Sequence, residues 1–159
     1  MRWEKLLRDE KTSRVLIVED SNQKYSYIEG VLEDVGGLSW RRAESIRSAF
    51  SLIKGHDWDI ILLDMNFENT EGIARDTRKE PLAGVEVLQF LDSVGSEAQV
   101  IVVTQHDSFA LPDGSAVLSL HELNHHLEEA FPKNYIGLIP ARLARSDWLA
   151  NLRGLLGGG

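Results

Sequence analysis

Val15-Leu16-Ile17-Val18-Glu19-Asp20 and Asp59-Ile60-Ile61-Leu62-Leu63-Asp64 are the stretches whose reading decides the fold. Each holds an unbroken apolar run of leucine and β-branched residues that stops on a carboxylate. A strand with one wet face alternates apolar and polar residues. A run that is apolar throughout belongs inside a parallel sheet covered on both faces. Val100-Ile101-Val102-Val103-Thr104 is a third such run, and residues 38–43 and 135–139 suit two shorter strands. Helical spacing lies between them: Tyr25, Ile28, Val31, Leu32 and Val35 recur until Gly36-Gly37, with Ser21 or Asn22 placed to cap. Ala49, Phe50, Leu52 and Ile53 suit a helix closing near Gly55, Gly84 to Leu91 another, and Trp148, Leu149, Leu152, Leu155 and Leu156 a last one. Strands alternating with helices predict an α/β domain, a doubly wound five-stranded parallel sheet.

The 159 residues fit one domain, and 43% hydrophobic residues suffice for one core. The net charge of −8 argues against a binder of nucleic-acid backbones, which needs clustered cations. Cysteine is absent, so disulfides, thiolate metal sites and cysteine nucleophiles are excluded. No apolar run reaches the ~20 residues that span a bilayer, and the charged opening is no signal-peptide core, so a cytoplasmic domain without membrane contact is expected. Residues 1–13 read as an N-terminal extension with Trp3, Leu6 and Leu7 on one face, 14–156 as the domain, and 157–159 as a flexible glycine tail. The stretches 66–82 and 104–140 are longer than ordinary connections and read as two insertions.

Ligands of parallel α/β sheets sit at the carboxyl ends of the strands. Glu19, Asp20 and Asp64 fall there, as does Thr104. Three acids gathered at one rim repel one another unless a hard cation joins them, and Mg²⁺ suits an all-oxygen site. A carboxylate beside such an ion can attack phosphorus and form an acyl phosphate, whose oxygens the Thr104 hydroxyl could hydrogen-bond.

These residues, in Val-Leu-Ile-Val-Glu-Asp (15–20), Asp-Ile-Ile-Leu-Leu-Asp (59–64) and Val-Ile-Val-Val-Thr (100–104), resemble the receiver domain of two-component response regulators. The resemblance is good over 14–64 and fair over 84–104. It implies a flavodoxin-like receiver fold in which Glu19 and Asp20 form the acidic pair on Mg²⁺, Asp64 is the phospho-acceptor, Asn66 lends a backbone carbonyl to the metal, and Thr104 is the switch hydroxyl. It further implies phosphorelay signalling with a histidine kinase, a phosphotransfer protein or another signalling protein as partner, and admits a homodimer. The sequence departs from the pattern in three places. Ile139-Pro140 stands where the family carries Lys-Pro, so a cation is expected to be missing and Arg142 and Arg145 are the nearest in sequence. Gln105 follows Thr104 in place of a small residue. Ile136 takes the aromatic switch position, with Tyr135 one place early and on the opposite face. Loss of a preorganised cation weakens phosphoryl transfer, so a degenerate receiver that works by protein contacts alone remains open beside the phosphorylated one.

His121-Glu122-Leu123-Asn124-His125 gives a separate alternative. On a helix the two histidines stand one turn apart and suit Zn²⁺, with Glu122 placed to activate water, as in a small zinc-binding protein or metallohydrolase. No His or Glu follows Glu129 as a downstream third ligand, and Glu128 is the nearby substitute. A solvated helix face explains the same residues without metal.

Overall fold

The computed structural model describes residues 12–68, 79–80, 82–111, 114–142 and 145–157. The strands of the main sheet are β1 (Ser13–Val18), β2 (Leu38–Ala43), β3 (Ile60–Leu63), β6 (Gln99–Thr104) and β9 (Tyr135–Pro140). They lie in the order β2-β1-β3-β6-β9, every neighbouring pair parallel. Five helices connect or follow them: α1 (Asn22–Val35), α2 (Ile46–Gly55), α3 (Gly84–Ser93), α4 (Leu120–Ala130) and α5 (Asp147–Leu155). The doubly wound architecture expected from the apolar runs is the one observed.

The runs are continuous because both faces of the sheet are buried. Leu16, Val18, Ile61, Leu63, Val100 and Val102 pack in one core with Ala49 and Ile53 of α2, Val87, Leu88 and Leu91 of α3, and Leu123 and Leu127 of α4. Val15, Ile17, Leu62, Ile101 and Val103 point the other way, against Ile28, Val31 and Leu32 of α1 and Trp148 and Leu152 of α5. Ser21 caps α1, its side chain accepting the Lys24 N–H, and Gly36 (φ 74°) and Gly37 (φ 70°) turn the chain out in a conformation that favours glycine. The buried face of α1 begins at Lys24, not at Tyr25: Lys24, Ile28, Val31 and Leu32 are the buried residues.

Both insertions carry paired backbone. β4 (Phe67–Glu68) and β5 (Lys79–Glu80) run antiparallel in the first. In the second, β7 (Ser108–Ala110) pairs antiparallel with β8 (Val117–Ser119) before α4 begins. Leu118 lies in β8, because Ser119 caps α4 and ends the strand. Phe109 of β7 is 1% exposed and belongs to the core, so this hairpin is packed onto the domain. Trp3, Leu6 and Leu7 and residues 69–78 of the first insertion lie outside the described residues, and no described helix is long and apolar enough to cross a membrane.

Candidate functional site

Glu19 and Asp64 stand one residue beyond β1 and β3, yet their backbones are still held by the sheet. The Glu19 N–H donates to Ala43 O at 2.9 Å and the Asp64 N–H to Val18 O at 3.0 Å. Parallel register places Val18 beside Leu63, so the two acids leave adjacent strands at one rim. Glu19, Asp20 and Asp64 each present a carboxylate oxygen, all within 4.8 Å of one another. Glu19 and Asp64 are buried and Asp20 half-buried. Burial pushes the Glu19 carboxyl up to about 7; the Lys24 ammonium partly offsets this, and the Asp64 charge adds to it. Asp64 is raised for the same first reason, again partly offset by Lys24.

The lysine expected to be missing beside Pro140 is missing, and Lys24 brings a cation to the acids from elsewhere. Its Nζ lies 2.7 Å from Glu19 Oε1 and 3.4 Å from Asp64 Oδ1, and donates to the Val103 carbonyl at 2.9 Å. Beside Pro140, Ile139 is buried in the core. The structure brings the cation from the first turn of α1. Arg142 instead pairs with Asp107 at 2.9 Å and Arg145 is exposed. The overlooked signal was a lysine four residues before Ile28, on the apolar face of the helix.

The Lys24 ammonium faces two of the three acids, Glu19 and Asp64. Glu19 Oε2 accepts the Ser21 N–H at 3.0 Å, but the close Lys24 contact on Oε1 falls outside hydrogen-bonding angles. Glu19 Oε1 is therefore a buried oxygen with no directed donor. A hard divalent cation fits such a donor set in charge and chemistry.

The surroundings fix Asp64 closely. The Asn66 N–H reaches Asp64 Oδ1 at 3.4 Å, while Asn66 Oδ1 accepts the Leu82 N–H at 3.2 Å, where Leu82 has a left-handed φ of 64°. Gly84 opens α3 against this turn, and a Cβ there would stand 2.7 Å from the Asp64 carbonyl oxygen. Thr104 ends the next strand, fully buried, its Oγ1 accepting the His106 N–H at 3.2 Å. Gln105 is exposed. Tyr135 is buried with its hydroxyl on Asn124 Oδ1, and Ile136 is 42% exposed at a register irregularity of β9.

His121, Glu122 and His125 lie on the exposed face of α4. Glu122 Oε1 accepts the Ser119 N–H at 2.9 Å, completing a capping box that holds its carboxyl below the usual range. His125 pairs with Glu129 at 3.0 Å. Among the described residues, the trio of Glu19, Asp20 and Asp64 is the group of three or more able to share a metal.

A family model described as the response regulator receiver domain matches residues 15–121. No curated protein sequence matches the chain. Among solved structures, the signal receiver domain of a putative LuxO repressor protein from Vibrio parahaemolyticus is 19% identical, with TM-score 0.59 over 91% of this chain and 88% of that one. The receiver domain of the Francisella response regulator 1452 gives 18% and 0.58 over 91% and 96%. A response regulator from Thermotoga maritima gives 18% and 0.56 over 92% and 98%. At these identities the likeness shows the fold.

Proposed function

We propose, because this chain belongs to the response regulator receiver domain family, that Asp64 accepts a phosphoryl group and that the domain passes on the change through protein contacts. The observation supporting this is the convergence of Glu19, Asp20 and Asp64 at one rim of the sheet, an all-oxygen donor set of the kind a hard divalent cation takes.

Glu19, Asp20 and Asp64, with the backbone carbonyl of Asn66, would hold Mg²⁺, which when bound screens the acids and polarises phosphoryl oxygens. The chain's own part is to present an Asp64 carboxylate oxygen at phosphorus. That oxygen forms a P–O bond as the donor's bond to phosphorus breaks, and the electron pair leaves with the donor. Thr104, at the end of the neighbouring strand, offers its hydroxyl hydrogen to the new phosphoryl group. A histidine kinase or phosphotransfer protein is the fitting donor, and another signalling protein or a second copy the fitting recipient of the signal.

The test is incubation with Mg²⁺ and a small acyl-phosphate donor, followed by intact-mass measurement. A hydroxylamine-labile phosphoryl gain on the parent, absent from Asp64→Asn, is expected. No gain on the parent protein would overturn the proposal and leave a phosphate-independent interaction module.

A further inference from the structure

We infer that Lys24, on the first turn of α1, is the positioning residue whose ammonium makes Asp64 competent for phosphoryl transfer. The inference rests on the preceding reading of Asp64 and assigns a part of that site to a residue outside the sheet.

Lys24 is placed against both burial and the helix dipole. It is 1% exposed, and an ammonium removed from water is costly unless its partners are well arranged. It lies three residues after the N-cap Ser21, where the positive end of the helix dipole disfavours a cation, and the first turn contains no acid to compensate. Its neighbours on the same helix face, Ile28, Val31 and Leu32, are apolar, and an apolar side chain would continue that face without either penalty. Breaches of local rules of this kind gather where a site needs a particular group.

The contacts identify the need. The ammonium meets Glu19 at 2.7 Å, Asp64 at 3.4 Å and the Val103 carbonyl at 2.9 Å, and so ties together the ends of β1, β3 and β6. A phosphoryl group adds up to two negative charges beside Asp64, and a fixed cation 3.4 Å from that carboxylate lowers the barrier without reorganising. Arg42, a further cation near this rim among the described residues, is engaged on backbone and rim. Arg42 donates to the Glu19 carbonyl at 3.0 Å and to Asn22 Oδ1 at 2.8 Å, with its guanidinium over the Tyr25 ring. The step itself is unchanged: Asp64 oxygen to phosphorus as the donor's bond breaks, with Lys24 holding the attacking carboxylate in place.

The absence of cysteine from the chain allows a clean test. Lys24→Cys is alkylated in denaturant with bromoethylamine, which rebuilds an ammonium of lysine's length, or with iodoacetamide, which gives a neutral amide of similar size. Both products are refolded, checked by circular dichroism, and given Mg²⁺ and acetyl phosphate. The Asp64 labelling rate is expected to fall about 10²-fold for the neutral product and to recover within a few-fold for the aminoethyl product. Mg²⁺ affinity, read by calorimetry without any phosphoryl donor, is expected to be several-fold tighter for the neutral product, because a like charge has gone. Lys24→Met is the third arm, with the loss seen for the neutral amide. Equal labelling by neutral and aminoethyl products would overturn the inference alone. Faster labelling by the neutral product would also overturn it, by showing that Lys24 plugs the pocket. Failure of the unaltered protein to label would overturn both this inference and the reading of Asp64.

Discussion

Gly84→Ala tests how tightly the site is built into the fold. Gly84 has no left-handed φ, and it is a glycine because of space: its missing Cβ would sit 2.7 Å from Asp64 O and 3.1 Å from Met65 Cα and Cε. The methionine tip can move, but the two backbone contacts cannot without shifting the turn. That turn is also pinned by the Gly84 N–H bond to Met65 O at 2.9 Å. Overpacking of this kind costs about 1–3 kcal/mol. Alanine's advantage over glycine in a helix returns roughly 0.5–1 kcal/mol. A net loss of up to about 2.5 kcal/mol lowers the melting temperature of a chain this size by up to roughly 10 °C. Because the displaced atom belongs to Asp64, labelling by acetyl phosphate should slow more than stability suggests, up to ~10²-fold for a displacement near 1 Å. Thermal melts and labelling rates of parent and variant, measured side by side, check both. A Gly84→Ala protein as stable as the parent and labelled at its rate would refute the steric reasoning.

Three further outcomes are expected. Asn66→Ala strands the Leu82 N–H, which its amide oxygen now accepts at 3.2 Å, and should cost about 1–2 kcal/mol in urea unfolding; no loss would mean that water replaces the bond. Phe109→Ala should cost about 3 kcal/mol, as for a core aromatic, since Phe109 is 1% exposed; a surface-like loss would detach the β7–β8 hairpin from the core. The metal-free protein should be more stable near pH 5 than at pH 8. Glu19, raised from 4.5 to about 7, keeps a proton in the fold that the unfolded chain has released. That contribution is whole below about 4.5 and lost as pH climbs through about 7. At 1.36 kcal/mol per unit it is of the order of 3 kcal/mol. Chemical melts across this range check it, and stability rising with pH would refute the assignment to Glu19.

The sheet was legible because burial on both faces leaves its mark residue by residue: Val15 to Val18 and Ile60 to Leu63 have no polar position to spare. The acids were legible because they end those runs. The cation was not, because Lys24 reaches Val103 across 79 positions of chain, and a strand-end search looks only where strands end. Its trace was negative, a charged residue where the helix face calls for an apolar one. The β7–β8 pairing escaped for another reason. Strands of three residues are too short to show an alternation, and Leu118 fits a helical spacing and a strand equally well. Glu122 was read for water activation because a motif specifies residue types, while the bond it makes depends on Ser119 at the helix start.

The hairpin after β6 changes what a disturbance at Thr104 would move. The segment leaving Thr104 is not slack: it is cross-linked as a two-stranded arm and nailed to the interior by Phe109. Phe109 and Leu118, one from each of its strands, both enter the core, so a shift passed along this segment meets interior packing at once.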